Sequence, residues 1–167
     1  PDTYFFMPTA STTSLVEEMR ENFDRQTAPL SLAIFRSKRS LEEIVTMASI
    51  LEKEAYTDAD REMISGILWK RIDEGMRLQV DAVFPYFLGK NTFDLTRADL
   101  RNPSLYNTYR YAGLPPGPIG SPSFSSLEAA ANPITSPYWF YLSDLKSQMH
   151  YAVDYAEHLK NKNKYLP

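Results

Sequence analysis

Cysteine is absent from the 167 residues, and histidine occurs twice, at His150 and His158. Without thiols the chain forms no disulfide, runs no thiolate catalysis and gives zinc no cysteine ligand. Two histidines are too few for a multi-histidine metal site. Each stands alone in its segment, and a surface or strand-end position is the simplest reading of both. Long apolar runs are missing too. No stretch reaches the ~18 residues that mark a membrane span, and no signal peptide is visible. Neither sign of charge is in large excess: 18 Lys and Arg stand against 21 Asp and Glu, a net of −3. That balance argues against a broad phosphate-binding surface and against nucleic acid as a partner.

What is present is ordinary globular material, 43% hydrophobic and 23% charged. The length suits one domain of the usual ~100–200 residues, which buries roughly 70% of its unfolded surface. Aromatics at 13% with 12 prolines form a mixture that carbohydrate sites use, as do plain cores. Carboxylates, hydroxyls and amides are left to carry polar chemistry. The chain opens at Pro1 inside what reads as an extended segment, so a domain excised from a longer protein is expected.

The pattern along the chain predicts α+β elements. Residues 2–7 read as a short strand ended by Pro8. Leu15, Val16, Met19 and Phe23 recur at helical spacing behind Ser11 to Ser14, predicting a helix over 13–26. Residues 30–39 read equally as loop or short helix. Ser40 with Glu43 forms a capping box for a helix running to about Ala55. Thr57 with Asp60 opens another, carrying Ile64, Ile67, Leu68 and Ile72 and closing near Gly75. Residues 76–122 turn rich in Gly, Pro, Asn and Tyr, with a helical suggestion only at 96–100. So long and weakly periodic a stretch inside a domain reads as a functional loop region. Ser125 with Glu128 suggests a third box, for an Ala-rich helix stopped at Asn132-Pro133. Residues 138–142 and 149–153 read as a hairpin, and 154–162 as a closing helix.

Three clusters could hold chemistry. In the helix after Ser40, the residues Leu41, Ile44, Val45, Ala48, Leu51 and Ala55 make one apolar stripe. Glu52 projects onto that stripe and Glu54 lies at its edge, beside Met47 and Leu51. A carboxylic acid facing apolar surface has its pKa raised, which is how a glutamate becomes a general acid near neutral pH. A solvated helix end, or a structurally paired glutamate, is the plain alternative. In the second cluster, alternation sets Arg77, Gln79 and Asp81 on one face of an extended segment, where an amide and a carboxylate can grip sugar hydroxyls. An exposed edge strand is the alternative. The third is Tyr106-Asn107-Thr108-Tyr109 followed by the stiff Gly113-to-Ile119 run with Pro115 and Pro116, then Ser121-Pro122. It could line a groove for a polymer, or be a structural loop.

Taken together, Met47 to Glu54, Gly75 to Asp81, Arg97 to Leu100, Tyr106 to Tyr109, Gly113 to Ile119 and Ser121-Pro122 resemble the MltG (YceG-like) family of endolytic murein transglycosylases. Pro1 to Tyr4, Leu127 to Pro133, Tyr138 to Leu142 and His150 also fit, so the resemblance covers nearly the whole chain. It implies an α+β catalytic domain with some likeness to lysozyme-type enzymes around the catalytic helix. Residues 1–167 would be that domain alone, parted from a transmembrane helix and a LysM-like subdomain, and working at the extracytoplasmic face of a bacterial cytoplasmic membrane. The resemblance implies cleavage between N-acetylmuramic acid and N-acetylglucosamine inside nascent glycan strands, leaving a 1,6-anhydro end. The second glutamate of the family's E-x-E pair, Glu54 here, would be the catalytic acid.

On that reading Gln79, Asp81, Tyr106, Asn107, Tyr109, Pro115, Pro116 and Ser121 hold the substrate. Glu52 and Ser49 stand behind the acid. Neither metal nor cofactor is called for, since one carboxylic acid and the substrate's own groups suffice. Peptidoglycan strands are the expected partner, with penicillin-binding synthases a family-level expectation. Two other readings stay open: a non-catalytic glycan-binding scaffold of the cell-wall machinery, and a muramidase that hydrolyses with Asp81 as second carboxylate.

Overall fold

The computed structural model describes residues 1–166. Among these described residues, seven α-helices and one two-stranded antiparallel sheet are joined by short 3₁₀ turns. Residues 2–7 have no regular secondary structure, so the expected strand does not form. Helix α1 (Thr12–Thr27) starts at Ser11, whose hydroxyl accepts from the Ser14 amide. A 3₁₀ turn leads from it into α2 (Ser31–Ser37), which Lys38 ends in the left-handed region at φ 59°.

Helix α3 (Leu41–Glu54) carries the predicted capping box in full, Ser40 and Glu43 each satisfying the other's backbone amide. Every residue from Thr46 to Leu51 is buried, so the middle of α3 is covered on all sides rather than along one apolar stripe. It packs against α4 (Asp58–Asp73) and α6 (Phe124–Ala131). The N-cap of α6 is Ser123, two residues before the expected Ser125; its hydroxyl accepts from the Ser126 amide. The alanines of α6 let it lie close, and Trp69 of α4 donates to the Ala130 carbonyl at 3.0 Å. At Gly66 of α4 a Cβ would stand 1.8 Å from the Ile134 carbonyl oxygen, so only glycine admits that crossing of chain over helix.

Residues 76–122 are largely irregular as expected, but they contain α5 (Phe84–Leu88), a short helix that the Pro/Gly content concealed. The helical suggestion at 96–100 resolves into a 3₁₀ turn at Asp99–Arg101. This region supplies core as well as surface: Leu78, Val80, Val83 and Phe84 join Ile44, Met47, Ile50 and Leu51 in one buried cluster. The hairpin is β1 (Phe140–Ser143) with β2 (Met149–Ala152), pairing Tyr141 with Tyr151. Its turn is held by the Asp144 carboxylate, which accepts from the Lys146 and Gln148 amides. Helix α7 (Tyr155–Tyr165), capped by Asp154, packs on both strands. Among the described residues no helix is long and apolar enough to cross a membrane.

Candidate active site

The last turn of α3 delivers its two glutamates to different neighbours. Glu52 Oε2 accepts from the Ser123 amide at 3.1 Å, the Ser123 hydroxyl at 2.7 Å and the Ser126 hydroxyl at 2.5 Å. It therefore closes the N-terminus of α6, where a negative charge is favoured. Burial pushes its carboxyl up. The hydrogen bonds from Ser126 and Ser123 and the charge of Arg61 outweigh that and hold it below the ordinary carboxylate value. Glu52 is a structural anion.

Glu54 lies two residues on, turned to the opposite flank, and is half-buried at the mouth of a cleft of about 500 Å³. Burial raises its carboxyl above the ordinary value. The negative charge of Asp81 adds to the rise, while the Tyr141 hydroxyl, the Ala82 amide and the Arg71 charge oppose it without cancelling it. The Tyr141 hydroxyl donates to Glu54 Oε2 at 2.9 Å. The neighbouring ring, Tyr151, donates to Asp60 at 2.6 Å. Directly paired residues share a face of a hairpin, so one face of the sheet is fastened to α3 and α4 by two tyrosine hydroxyls. On the other face Phe140 meets His158 and Tyr155 of α7, ring centroids 5.4 and 5.8 Å apart.

The facing wall of the cleft comes from Gln79, Val80 and Asp81 with Tyr109. Gln79 has φ 52°, a left-handed residue that breaks the expected alternation. As a result Gln79 and Asp81 reach the cleft, whereas Arg77 is not among its lining residues. Thr108 fixes this wall: its hydroxyl takes the Val80 amide and donates to the Val80 carbonyl, both at 3.1 Å, while its carbonyl takes the Gln79 amide. The Tyr109 hydroxyl donates to Asp81 at 2.6 Å. Burial, and then the negative charge of Asp81 that this bond serves, push the Tyr109 phenol well up, so it stays a proton donor.

The other residues expected to hold substrate sit elsewhere. Asn107 is fully buried; its amide donates to the Leu100 and Asn102 carbonyls and its oxygen accepts from the Tyr109 amide. It shapes the loop that aims Tyr109 and has no free group for a sugar. Tyr106 packs on Tyr86 at 4.8 Å, outside the cleft lining. Pro115 is buried, and Pro116 and Ser121 are exposed, none of them on the Glu54 cleft. Ser49 is buried and accepts from the Ile119 amide at 2.9 Å, so it pins the proline-rich loop to α3.

Arg71 and Tyr141 are among the cleft residues that the sequence reading does not single out. Arg71 is 5% exposed and gives Nε and Nη2 to the Trp139 carbonyl at 2.9 and 2.6 Å, and Nη1 to the Leu78 carbonyl at 2.6 Å. It ties α4 to both walls at once. Its signal was readable, since Ile64, Ile67, Leu68 and Arg71 follow the spacing of one buried helix face, an improbable place for an arginine without partners. Tyr141 had no such signal within a uniformly aromatic run. His158, read as a surface residue, lines the cleft instead.

Fold and site define the class: an α+β domain whose central helix presents one carboxyl, raised above its ordinary value, to an open, aromatic-walled cleft. The chain belongs to the YceG-like family, whose model matches residues 1–164. An endolytic murein transglycosylase of Bacillus subtilis is 33% identical over 99% of this chain and 46% of its own length. One of Streptococcus pneumoniae is 30% identical over 96% of this chain and 30% of its own. A crystal structure of a yceG-like protein from Listeria monocytogenes superposes with a TM-score of 0.87 at 38% identity, covering 96% of this chain and 53% of that one. The chain thus spans less than half the length of the curated relatives described here.

Proposed function

We propose that this chain is the catalytic domain of an endolytic peptidoglycan transglycosylase, with Glu54 acting first as acid and then as base. The observation that carries the reading is the setting of Glu54: raised by burial, bonded to Tyr141 and open to the cleft. The family membership and the names of the relatives supply the substrate class.

In the first half-reaction the Glu54 carboxyl protonates the oxygen that links N-acetylmuramic acid to N-acetylglucosamine, and the bond from C1 to that oxygen breaks. The substrate's acetamido oxygen stabilises the cation forming at C1. In the second half the Glu54 carboxylate takes the proton of the C6 hydroxyl as O6 bonds to C1. The anhydro ring closes, Glu54 is protonated again, and no water is consumed. Such acid–base help is worth about 10²–10⁴-fold. Gln79, Asp81 and Tyr109 face the same space and bind sugar hydroxyls or the acetamido group. On this reading a membrane anchor and a LysM-like part occupy length by which the curated relatives exceed this chain. The site of action is the envelope, beside strand-building synthases.

Asp81 in the same cleft also fits a hydrolase, which would use it to activate water. Product mass separates the two: transglycosylation yields ends lighter by one water than the reducing ends of hydrolysis. Glu54→Gln should abolish the anhydro product while the protein stays folded. Full activity in that variant would refute the assignment.

A further inference from the structure

The wall opposite Glu54 is strained at one residue. Gln79 stands at φ 52°, a left-handed backbone that residues with a Cβ rarely hold. Such a residue persists only where its surroundings over-determine it, and strain of this kind gathers at functional sites. Here the surroundings form a clamp. On one side Arg71 Nη1 donates to the Leu78 carbonyl at 2.6 Å. On the other the Thr108 hydroxyl holds both the amide and the carbonyl of Val80 at 3.1 Å. The Gln79 amide itself donates to the Thr108 carbonyl at 3.2 Å. The clamp fixes the backbone and leaves the side chain free. Gln79 is exposed and lines the cleft, and its side-chain amide bonds to nothing among the described residues. Its neighbours on that wall have no donor to offer. The Tyr109 hydroxyl is committed to Asp81 at 2.6 Å, Val80 is apolar, and an ionised Asp81 carboxylate only accepts. Gln79 therefore holds the free N–H groups of the wall that faces the acid.

The second half of the reaction proposed above asks for such a donor. O6 has to lie against C1 with its proton toward Glu54. A carboxylate such as Asp81 would hold the hydroxyl by that same proton, in competition with Glu54. An N–H group instead bonds to a lone pair of O6 and leaves the proton free. We infer that Gln79 positions the nucleophile: its side-chain N–H donates to O6 of the muramic residue and keeps O6, rather than water, next to C1. This role rests on the transglycosylase reading and adds to it what decides between an anhydro and a reducing end. With the Gln79 amide in place, O6 bonds to C1 and its proton passes to Glu54. Without it, a water oxygen bonds to C1, one water proton passes to Glu54, and the end is reducing.

The test reads the mass of the ends released from purified murein glycan by the native chain and by two variants. Gln79→Met keeps the length of the side chain and removes its N–H groups. Gln79→Gly removes the side chain and suits the left-handed backbone, so it keeps the fold should methionine not. Both should form anhydro ends about tenfold more slowly, the upper worth of one hydrogen bond, and release reducing ends that the native chain does not. Binding supplies a second readout. It is measured in the Glu54→Gln background, so that no cleavage occurs, with soluble glycan fragments that have or lack the C6 hydroxyl on the muramic residue at the cut bond. Loss of that hydroxyl should weaken binding about tenfold where Gln79 is present and leave it unchanged in Gln79→Met and Gln79→Gly. A merely structural Gln79 would weaken both fragments alike and leave the mixture of ends as it was, and that result overturns the role. Anhydro ends alone from all three proteins overturn it as well. Reducing ends alone from the native chain are a different failure: they remove the transglycosylase reading itself, and the need for a group that holds O6 goes with it.

Discussion

At the scale of single residues, two glutamates two positions apart are shifted in opposite directions. Glu52 meets three donors at a helix N-terminus, and Glu54 meets apolar burial and a neighbouring carboxylate. The sequence showed both as unusual and could not rank them. A helical wheel assumes one covered face, and the middle of α3, from Thr46 to Leu51, is covered on all sides. Because its folded value is raised, Glu54 favours the native state when protonated and costs stability as pH rises through that value. Glu54→Gln should therefore gain ~0.5–2 kcal/mol of stability at neutral pH. Thermal melts should show that gain shrinking at pH ~4, where the wild-type carboxyl also holds its proton. Tyr141→Phe removes a donor that favours the charged form, so Glu54 should titrate higher. The alkaline limb of the pH–rate profile should move to higher pH, and an unmoved limb would show that Tyr141 does not govern the acid.

At the scale of elements, the caps and periodic helices were the most legible features. Ser40 with Glu43, the Thr57 cap and the hairpin lie where local chemistry places them. The failures have separate causes. Residues 2–7 are rich in aromatics but find no partner strand, and pairing is a tertiary fact. The start of α6 was misplaced because four serines between 121 and 126 each qualify as a cap, and Glu52, distant in sequence, selects Ser123. Glu52→Ala should therefore destabilise the protein by about 1.5–3 kcal/mol, the worth of bonds to a charged group. The loss, read by denaturant melts, should fade as pH falls through the carboxylate range, since the wild type forfeits this contribution when Glu52 protonates. Gly66→Ala forces a methyl group into the Ile134 carbonyl and should cost at least the ~1–3 kcal/mol of overpacking. A neutral result there would mean that the 133–136 segment lifts freely off α4.

At the scale of the whole molecule, the site is a junction of three parts: the end of α3, the 78–81 wall braced by Thr108, and the hairpin. Arg71 bonds to the backbone of the last two. That convergence was hidden in the sequence, because the partners are carbonyl groups, which carry no sequence signature. The most direct test of the central claim is the mass of the ends released when purified murein glycan is digested by this chain and by its Glu54→Gln variant. Anhydro ends, lighter by one water than reducing ends, from the native protein and none from the variant are the predicted result. Reducing ends from the native protein, or anhydro ends from both, would contradict it.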